Sequence, residues 1–424
     1  MKEEILVEWN PWWTGSYERD CSPRAAWDNI SKWLDRKEIV ALTGARRSGK
    51  TTIMYIVIEK LLEHLPKENI LFLKCDDERV RTETLIETAR ESHGELFDPN
   101  GRIYLFLDEV QELDNWDRSV KRLYDLHEDV KIFLTGSRLL KRELSTSLAG
   151  RFASFTIHPF SFREFLTCRG LELRGRAELL AARDAVKHHL RDYLEWGGFP
   201  EIILEERRDL KQELLRFYSD SILYRDVVQR VGIQRVDKVE SLKSFLLANI
   251  SNLLSYNKVA KILGVSPDTI ASYLHAMEEA YYFFQVPIFS YSLKKQQINP
   301  RKIYCVDTGI RNAVGFRFSS DIGRLYENLV FLHLKRQYDR IYYWKSGGGE
   351  VDFLVMEGDR ITRAIQVCYD LEGAREREEK ALLLALEEFE LDEGVIITGD
   401  LRDTWRVQGR TIRLIPLWEW LLVS

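Results

Sequence analysis

The chain has 424 residues, 45% hydrophobic and 30% charged, with a net charge of −5; at about 150 residues per domain it suggests two or three domains, and the balance excludes a disordered chain, a collagen-like repeat or a disulfide scaffold. No segment approaches the roughly 18 apolar residues of a membrane helix, Met1-Lys2-Glu3-Glu4 opens no secretory signal, and Cys21, Cys75, Cys168, Cys305 and Cys368 form no CxxC pair, so a cytoplasmic protein with reduced thiols and no zinc site is expected. The negative balance confines any nucleic-acid surface to a local basic patch.

The first 38 residues are rich in tryptophan (Trp9, Trp12, Trp13, Trp27, Trp33), and Trp27, Ile30 and Leu34 fall at helical spacing. This reads as a lead segment and helix packed on the next domain. From Ile39 short apolar strands alternate with amphipathic helices. Strands are expected at Ile39–Thr43, Ile70–Leu73, Arg102–Leu107, Lys131–Leu134 and Ala153–Ile157, with a helix from Gly49 to about His64 burying Ile53, Ile56, Val57, Lys60 and Leu61 on one side. Such alternation means an α/β fold with a parallel sheet covered on both faces.

Gly44-Ala45-Arg46-Arg47-Ser48-Gly49-Lys50-Thr51 fits G-x-x-x-x-G-K-[ST] between a buried strand and a helix start, which is where a P-loop (Walker A) must sit. Its glycines let backbone N–H groups wrap phosphates at the helix N-terminus. Lys50 is expected to reach the β- and γ-phosphates of ATP, Thr51 to ligate Mg²⁺, and Thr52 to border the site. About sixty residues on, Tyr104-Leu105-Phe106-Leu107 ends in Asp108 and Glu109, a Walker B pattern in which Asp108 serves the Mg²⁺ shell and Glu109 polarises water. Ile132-Phe133-Leu134-Thr135-Gly136-Ser137 either places a hydroxyl near the γ-phosphate or ends in Ser137 as a plain helix cap. Arg151, after Leu148-Ala149-Gly150, either stabilises phosphoryl-transfer charge, in its own chain or a neighbour's, or is a surface arginine.

From about Phe162 to Ile250 the chain reads as helical, punctuated by Gly197-Gly198-Phe199-Pro200. Asn257–Gly264, a turn at Val265–Asp268 and Thr269–Ala280 have helix-turn-helix spacing, with Ile270, Tyr273, Leu274 and Met277 on the core face of the second helix. Strands at Tyr281–Val286 and Lys302–Val306 are expected to form a wing with a basic turn between them. Lys294, Lys295, Arg301 and Lys302 lie there with no acid between Phe283 and Lys302, which suits contact with double-stranded DNA. The second helix carries no Lys or Arg, so a wing used for packing stays open.

Glu327 lies on a helix from about Arg324 to Gln337, and further strands are expected at Ile341–Trp344, Val351–Met356, Ile361–Tyr369 and Gly394–Thr398. Period two puts Gln366 and Cys368 on one face, where they could meet Asp352. This layout resembles the PD-(D/E)XK restriction-endonuclease core, in which two acids bind Mg²⁺ and a lysine supports the attacking water. Gln366 replaces the second acid and Cys368 stands at the lysine position, so the site is short of one acid and one cation. Lys345 is a conceivable substitute cation. A nuclease, or a retired nuclease fold binding nucleic acid or protein, are both open.

Taken together, Gly44–Thr51, Leu107–Gln111, Thr135–Ser137, Leu148–Arg151 and Gly197–Pro200 resemble the prokaryotic AAA-type ATPases that end in a domain of unknown function. The resemblance implies strand order 5-1-4-3-2, a helical lid, a sensor at Thr135 to Ser137, an arginine finger at Arg151, a winged helix and a nuclease-like end. The division expected is a lead segment over 1–38, the P-loop core over 39–160, the lid over 161–235, the winged helix over 236–310 and the α/β end over 311–424. The expected function is a Mg²⁺-ATPase coupling nucleotide state to DNA or partner binding. A nucleotide-regulated nuclease and a nucleotide-switched binder with negligible turnover are the alternatives, and a homo-oligomer is a possible state.

Overall fold

Apolar runs without alternation need burial on both faces, and here they become the strands of a parallel sheet. In the computed structural model these are β1 (Ile39–Thr43), β2 (Ile70–Lys74), β3 (Ile103–Asp108), β4 (Val130–Gly136) and β5 (Phe152–Thr156). Every residue of β1 and β4 is buried. The order is β2-β3-β4-β1-β5, parallel throughout; read from the other edge it is 5-1-4-3-2. The structure describes residues 3–15, 17, 23–79, 84–97, 101–136, 147–229, 232–315 and 322–423. The chain divides into one unit of Met1–Pro159 with Glu279–Tyr281 and a second of Phe160–Glu278 with Tyr282–Ser424.

In the first unit, the helix Lys50–Leu62 buries Ile53, Met54, Val57, Ile58 and Leu61. The buried face is therefore rotated from the expected one: Ile56 is half-buried and Lys60 exposed. The lead segment covers the β2 edge. Asn10 Nδ2 donates to Phe72 O at 2.9 Å and Phe72 N donates to Asn10 Oδ1 at 2.7 Å, so one amide side chain imitates a neighbouring strand. Trp13 Nε1 donates to Ile70 O at 3.0 Å. An open strand edge is a pairing hazard, and here the tryptophan cluster closes it.

The second unit opens with helices, among them Phe162–Cys168, Arg183–Trp196, Arg208–Ser221 and Val236–Ala248. The Gly-Gly-Phe-Pro motif has a steric cause. Gly197 holds φ +78°, and a Cβ there would lie 1.9 Å from Asp307 Oδ1. Gly198 N donates to Asp307 Oδ2 at 2.7 Å, while Asp307 Oδ1 caps the helix Thr308–Val314 by accepting from Ile310 N.

Helices Tyr256–Leu263 and Pro267–Glu279 follow β6 (Leu253–Leu254) and precede β7 (Phe283–Val286) and β8 (Arg301–Cys305). The three strands form an antiparallel sheet, β6-β8-β7. Ile270, Tyr273, Leu274 and Met277 are buried, on the face that periodicity selected. The segment between β7 and β8 is not a bare basic turn: Leu293–Ile298 is a short helix capped by Ser292, which accepts from Lys295 N. The chain ends in a mixed six-stranded sheet of β9 (Arg340–Ser346), β10 (Gly349–Glu357), β11 (Arg360–Val367), β12 (Glu393–Thr398), β13 (Asp403–Val407) and β14 (Arg410–Pro416), ordered β13-β14-β12-β11-β10-β9. The helices Ile322–Gln337 and Arg375–Glu388 belong to the same part of the chain.

Candidate functional site

The loop between β1 and the helix Lys50–Leu62 is built for close backbone approach. Gly44 has φ +146°, and a Cβ on it would lie 2.1 Å from Ile157 O. Gly49 caps the helix at φ +95° with no side-chain bond to the first-turn N–H groups. Those donors are therefore available to an anion. Lys50 is buried; its Nζ donates to Gly44 O at 3.2 Å and Ala45 O at 3.1 Å, and lies 3.9 Å from Glu109 Oε1. Ser48 Oγ is buried with no hydrogen-bond partner. A glycine cradle, free helix-end donors, a lysine and an orphaned hydroxyl make a donor set that fits phosphate groups.

Sheet order brings the acids to this loop. β4 lies between β1 and β3, with Leu42 opposite Thr135 and Leu107 opposite Leu134. Thr135 therefore stands beside the end of β3. Its Oγ1 donates to Asp108 Oδ1 at 2.5 Å and accepts from Glu109 N at 2.8 Å. Thr51 Oγ1 donates to Asp108 at 2.9 Å (Oδ1) and 3.0 Å (Oδ2). Burial, then the neighbouring Glu109 charge, pushes the Asp108 carboxyl up to about 6, while Thr135, Thr51 and Lys50 pull against that rise. Glu109 has φ +51°, unusual for a residue with a side chain. Gln111 Nε2 donates to Glu109 Oε2 at 2.5 Å. Thr51 and Asp108 together offer the hard oxygen ligands that Mg²⁺ prefers.

Sequence periodicity could not assign Thr135 a partner; only the strand order does. Ser137 lies outside the described residues. Arg46, Arg47 and Thr52 are in or next to the loop, Arg47 at φ +68°. Arg151 is not near the loop of its own chain. Its carbonyl accepts from Ile39 N, at the start of β1, whereas the loop follows the end of β1. At about 3.3 Å per residue the strand separates the two by some 13 Å or more. Its side chain pairs with Asp125 at 3.0 Å.

A family profile described as an AAA domain matches residues 36–166, and profiles for two domains of unknown function, DUF8612 and DUF4143, match 187–321 and 322–420. The uncharacterized protein MJ1544 of Methanocaldococcus jannaschii is 35% identical over 407 residues, covering 91% of this chain and 88% of that protein. The chain belongs to the same family. An uncharacterized protein of Haemophilus influenzae is 28% identical over 409 residues, covering 93% of this chain and 96% of that protein. Among solved structures, a DNA polymerase III gamma subunit-related protein of Thermotoga maritima superposes over 60% of this chain and 99% of its own, at 12% identity and a TM-score of 0.29. The first unit of this family member is thus an AAA-type P-loop domain, by profile and by strand order. Among the described residues no helix is long and apolar enough to cross a membrane.

The family member's C-terminal portion corrects two expectations. Lys302 does not offer its charge to a DNA phosphate. It is buried, and its Nζ lies 2.6 Å from Asp352 Oδ1, 3.1 Å from Glu327 Oε1 and 3.1 Å from Glu350 Oε1. Burial opposes the charge on Lys302, but Asp352, Glu327 and Glu350 outweigh it and raise its pKa. Burial, then Asp352, raises the Glu327 carboxyl, against the pull of Lys302 and of Tyr304, whose hydroxyl donates to it at 2.7 Å. The second correction concerns Lys345: the ammonium beside Glu327 and Asp352 is that of Lys302, from β8. Lys345 does not fill that place; it is exposed and pairs with Glu350 at 3.5 Å.

Gln366 meets Asp352 through its backbone, accepting from Asp352 N at 3.0 Å, and its Nε2 donates to buried Glu378 at 2.5 Å. Cys368 stays apart: its Sγ donates to Asp370 O at 3.0 Å and it packs in an apolar cluster with Leu382 and Ile396. Lys302, Tyr304, Glu350 and Glu378 are members of the cluster that sequence spacing alone did not gather. Among the described residues no group of three or more His, Cys, Asp or Glu side chains is arranged to hold a metal ion. Of the expected DNA contacts, Lys294 and Lys295 are exposed on the short helix and Arg301 is half-buried on β8.

Proposed function

We propose that this chain is a Mg²⁺-dependent ATPase whose nucleotide state governs binding of double-stranded DNA or a protein partner. The observation that carries the reading is the convergence of Thr51 and Thr135 on Asp108, beside Lys50 and Glu109. In this reading the loop N–H groups and Lys50 bind the triphosphate. Thr51 and Asp108 hold Mg²⁺, which when bound supplies positive charge against the phosphate oxygens. Thr135 keeps Asp108 and the Glu109 backbone in register, and Glu109 accepts a proton from the attacking water. Arg151 serves the site of a neighbouring subunit, because its own site is at the other end of β1. In an isolated chain the same geometry gives a nucleotide-switched binder with slow turnover.

The helix-turn-helix pair with β6-β8-β7 supports a winged-helix assignment, with Lys294, Lys295 and Arg301 as phosphate contacts. A nuclease is disfavoured, since the Lys302 ammonium fills the space between Asp352, Glu327 and Glu350 that a metal would need. The test is ATP turnover by the purified chain, with and without duplex DNA. Lys50→Ala is expected to remove nucleotide binding and turnover together, and unchanged turnover in that variant refutes the assignment.

A further inference from the structure

Arg24, in the lead segment before the helix Trp27–Ile30, reaches the back of the phosphate loop. It is only 7% exposed. Its Nη1 donates to Ser48 O at 3.0 Å and its Nη2 to His158 O at 2.7 Å. Ser48 is the loop residue just before Gly49 and Lys50. In a trans peptide the C=O and the following N–H point to opposite sides. A guanidinium that fixes the Ser48 carbonyl therefore fixes the direction of the Gly49 N–H, one of the donors a phosphate would meet.

The second contact ties the loop to one particular segment. His158 follows Ile157, whose N–H donates to Thr43 O at 2.7 Å and whose carbonyl packs on Gly44. The loop thus touches residues 157–158 at both ends, directly through Gly44 and through Arg24 at Ser48. That stretch is where the chain leaves the first unit. An arginine fork can hold two carbonyls in fixed relation, which a lysine cannot do with the same geometry.

We propose that Arg24 is a positioning residue that clamps the phosphate loop to residues 157–158, orienting the Gly49 N–H for phosphate and passing loop movement to the segment leading into the second unit. The proposal rests on the reading of this loop as a nucleotide site. The experiment measures ATP and ADP affinity and steady-state turnover for wild type, Arg24→Ala, Arg24→Lys and Lys50→Ala. Loss of two charge-assisted bonds predicts a Kd for ATP about ten- to a hundredfold higher in Arg24→Ala, with an intermediate value in Arg24→Lys. Millimolar guanidinium is expected to restore affinity to Arg24→Ala and to leave Lys50→Ala unchanged, which a merely structural loss would not show.

A Kd within twofold of wild type in Arg24→Ala, or no restoration by guanidinium, overturns the clamp. If Arg24→Ala does not fold, Arg24→Lys decides: wild-type affinity there overturns it equally. A wild-type chain that binds no nucleotide at all sinks the nucleotide-site reading instead, so the two failures are distinct.

Discussion

Lys302 Nζ and Asp352 Oδ1 lie 2.6 Å apart in the interior of the second unit, joining β8 to β10. The other Asp352 oxygen accepts from Val367 N at 2.8 Å, so both oxygens of this carboxylate are used inside the protein. Desolvating an ion pair is costly, and it is favourable only when the remaining lone pairs find donors. Here Val367 N donates to Asp352 and the Tyr304 hydroxyl to Glu327, while Glu327 and Glu350, each 3.1 Å from Lys302 Nζ, face its remaining N–H groups as acceptors. The cluster works as a strut between two sheets.

Removing one partner of such a pair leaves charge buried and uncompensated. Lys302→Met should therefore destabilise the second unit by about 3–5 kcal/mol. Adding Asp352→Asn should recover part of this loss, so the double variant costs less than the two singles combined. Urea unfolding followed by tryptophan fluorescence measures both. A wild-type midpoint in Lys302→Met would show that the ammonium is not holding the cluster.

Burial pushes the Asp307 carboxyl up to about 6, despite N–H donors from Gly198, Ile310 and Gly309. The folded chain then binds more protons than the unfolded one between the ordinary aspartate value, near 4, and 6. Stability consequently falls as pH rises through that window, by an amount on the order of 3 kcal/mol from this group. Asp307→Asn should be less stable at every pH, because its amide faces an N–H, yet it should lack this share of the slope. Thermal denaturation from pH 4 to 7 compares the two; parallel curves would assign the slope to other groups.

Glu109→Gln keeps the shape beside Lys50 but cannot take a proton. ATP affinity should stay within a few-fold of wild type while turnover falls by about a hundredfold or more. Turnover that survives this change would place the proton acceptor elsewhere.

Arg151→Ala should lower turnover only where subunits meet. Mixing Arg151→Ala chains with Lys50→Ala chains should return activity, since each mixed pair assembles one intact site. Absence of recovery, with wild-type turnover independent of protein concentration, would argue against a shared site.

If Lys294, Lys295 and Arg301 neutralise phosphates, changing each to Ala should reduce the slope of log K against log salt by about 0.9. Lys302→Met should leave that slope unaltered, because its ammonium is already paired indoors. Fluorescence anisotropy with labelled duplex DNA across a salt series reads both.

Residue order alone makes legible the features that are local and periodic. The Gly44–Thr51 loop and the Leu105–Asp108 run could be read because a phosphate cradle requires glycines at fixed offsets and a buried parallel strand requires unbroken apolar residues. The helix pair around Gly264 was readable from its turn chemistry and spacing. Partnerships between residues far apart in the chain emerge only on folding. Thr135 reaches Asp108 because β4 is laid down between β1 and β3. Arg151 is turned away from its own loop because it precedes β5 at the opposite end of the same sheet. Lys302 read as an open cation on a basic wing, and became the buried centre of three carboxylates once β8 was packed against β10. Charge tells which groups attract, but burial and strand order decide which of them meet, and neither is written in the spacing of residues along one segment.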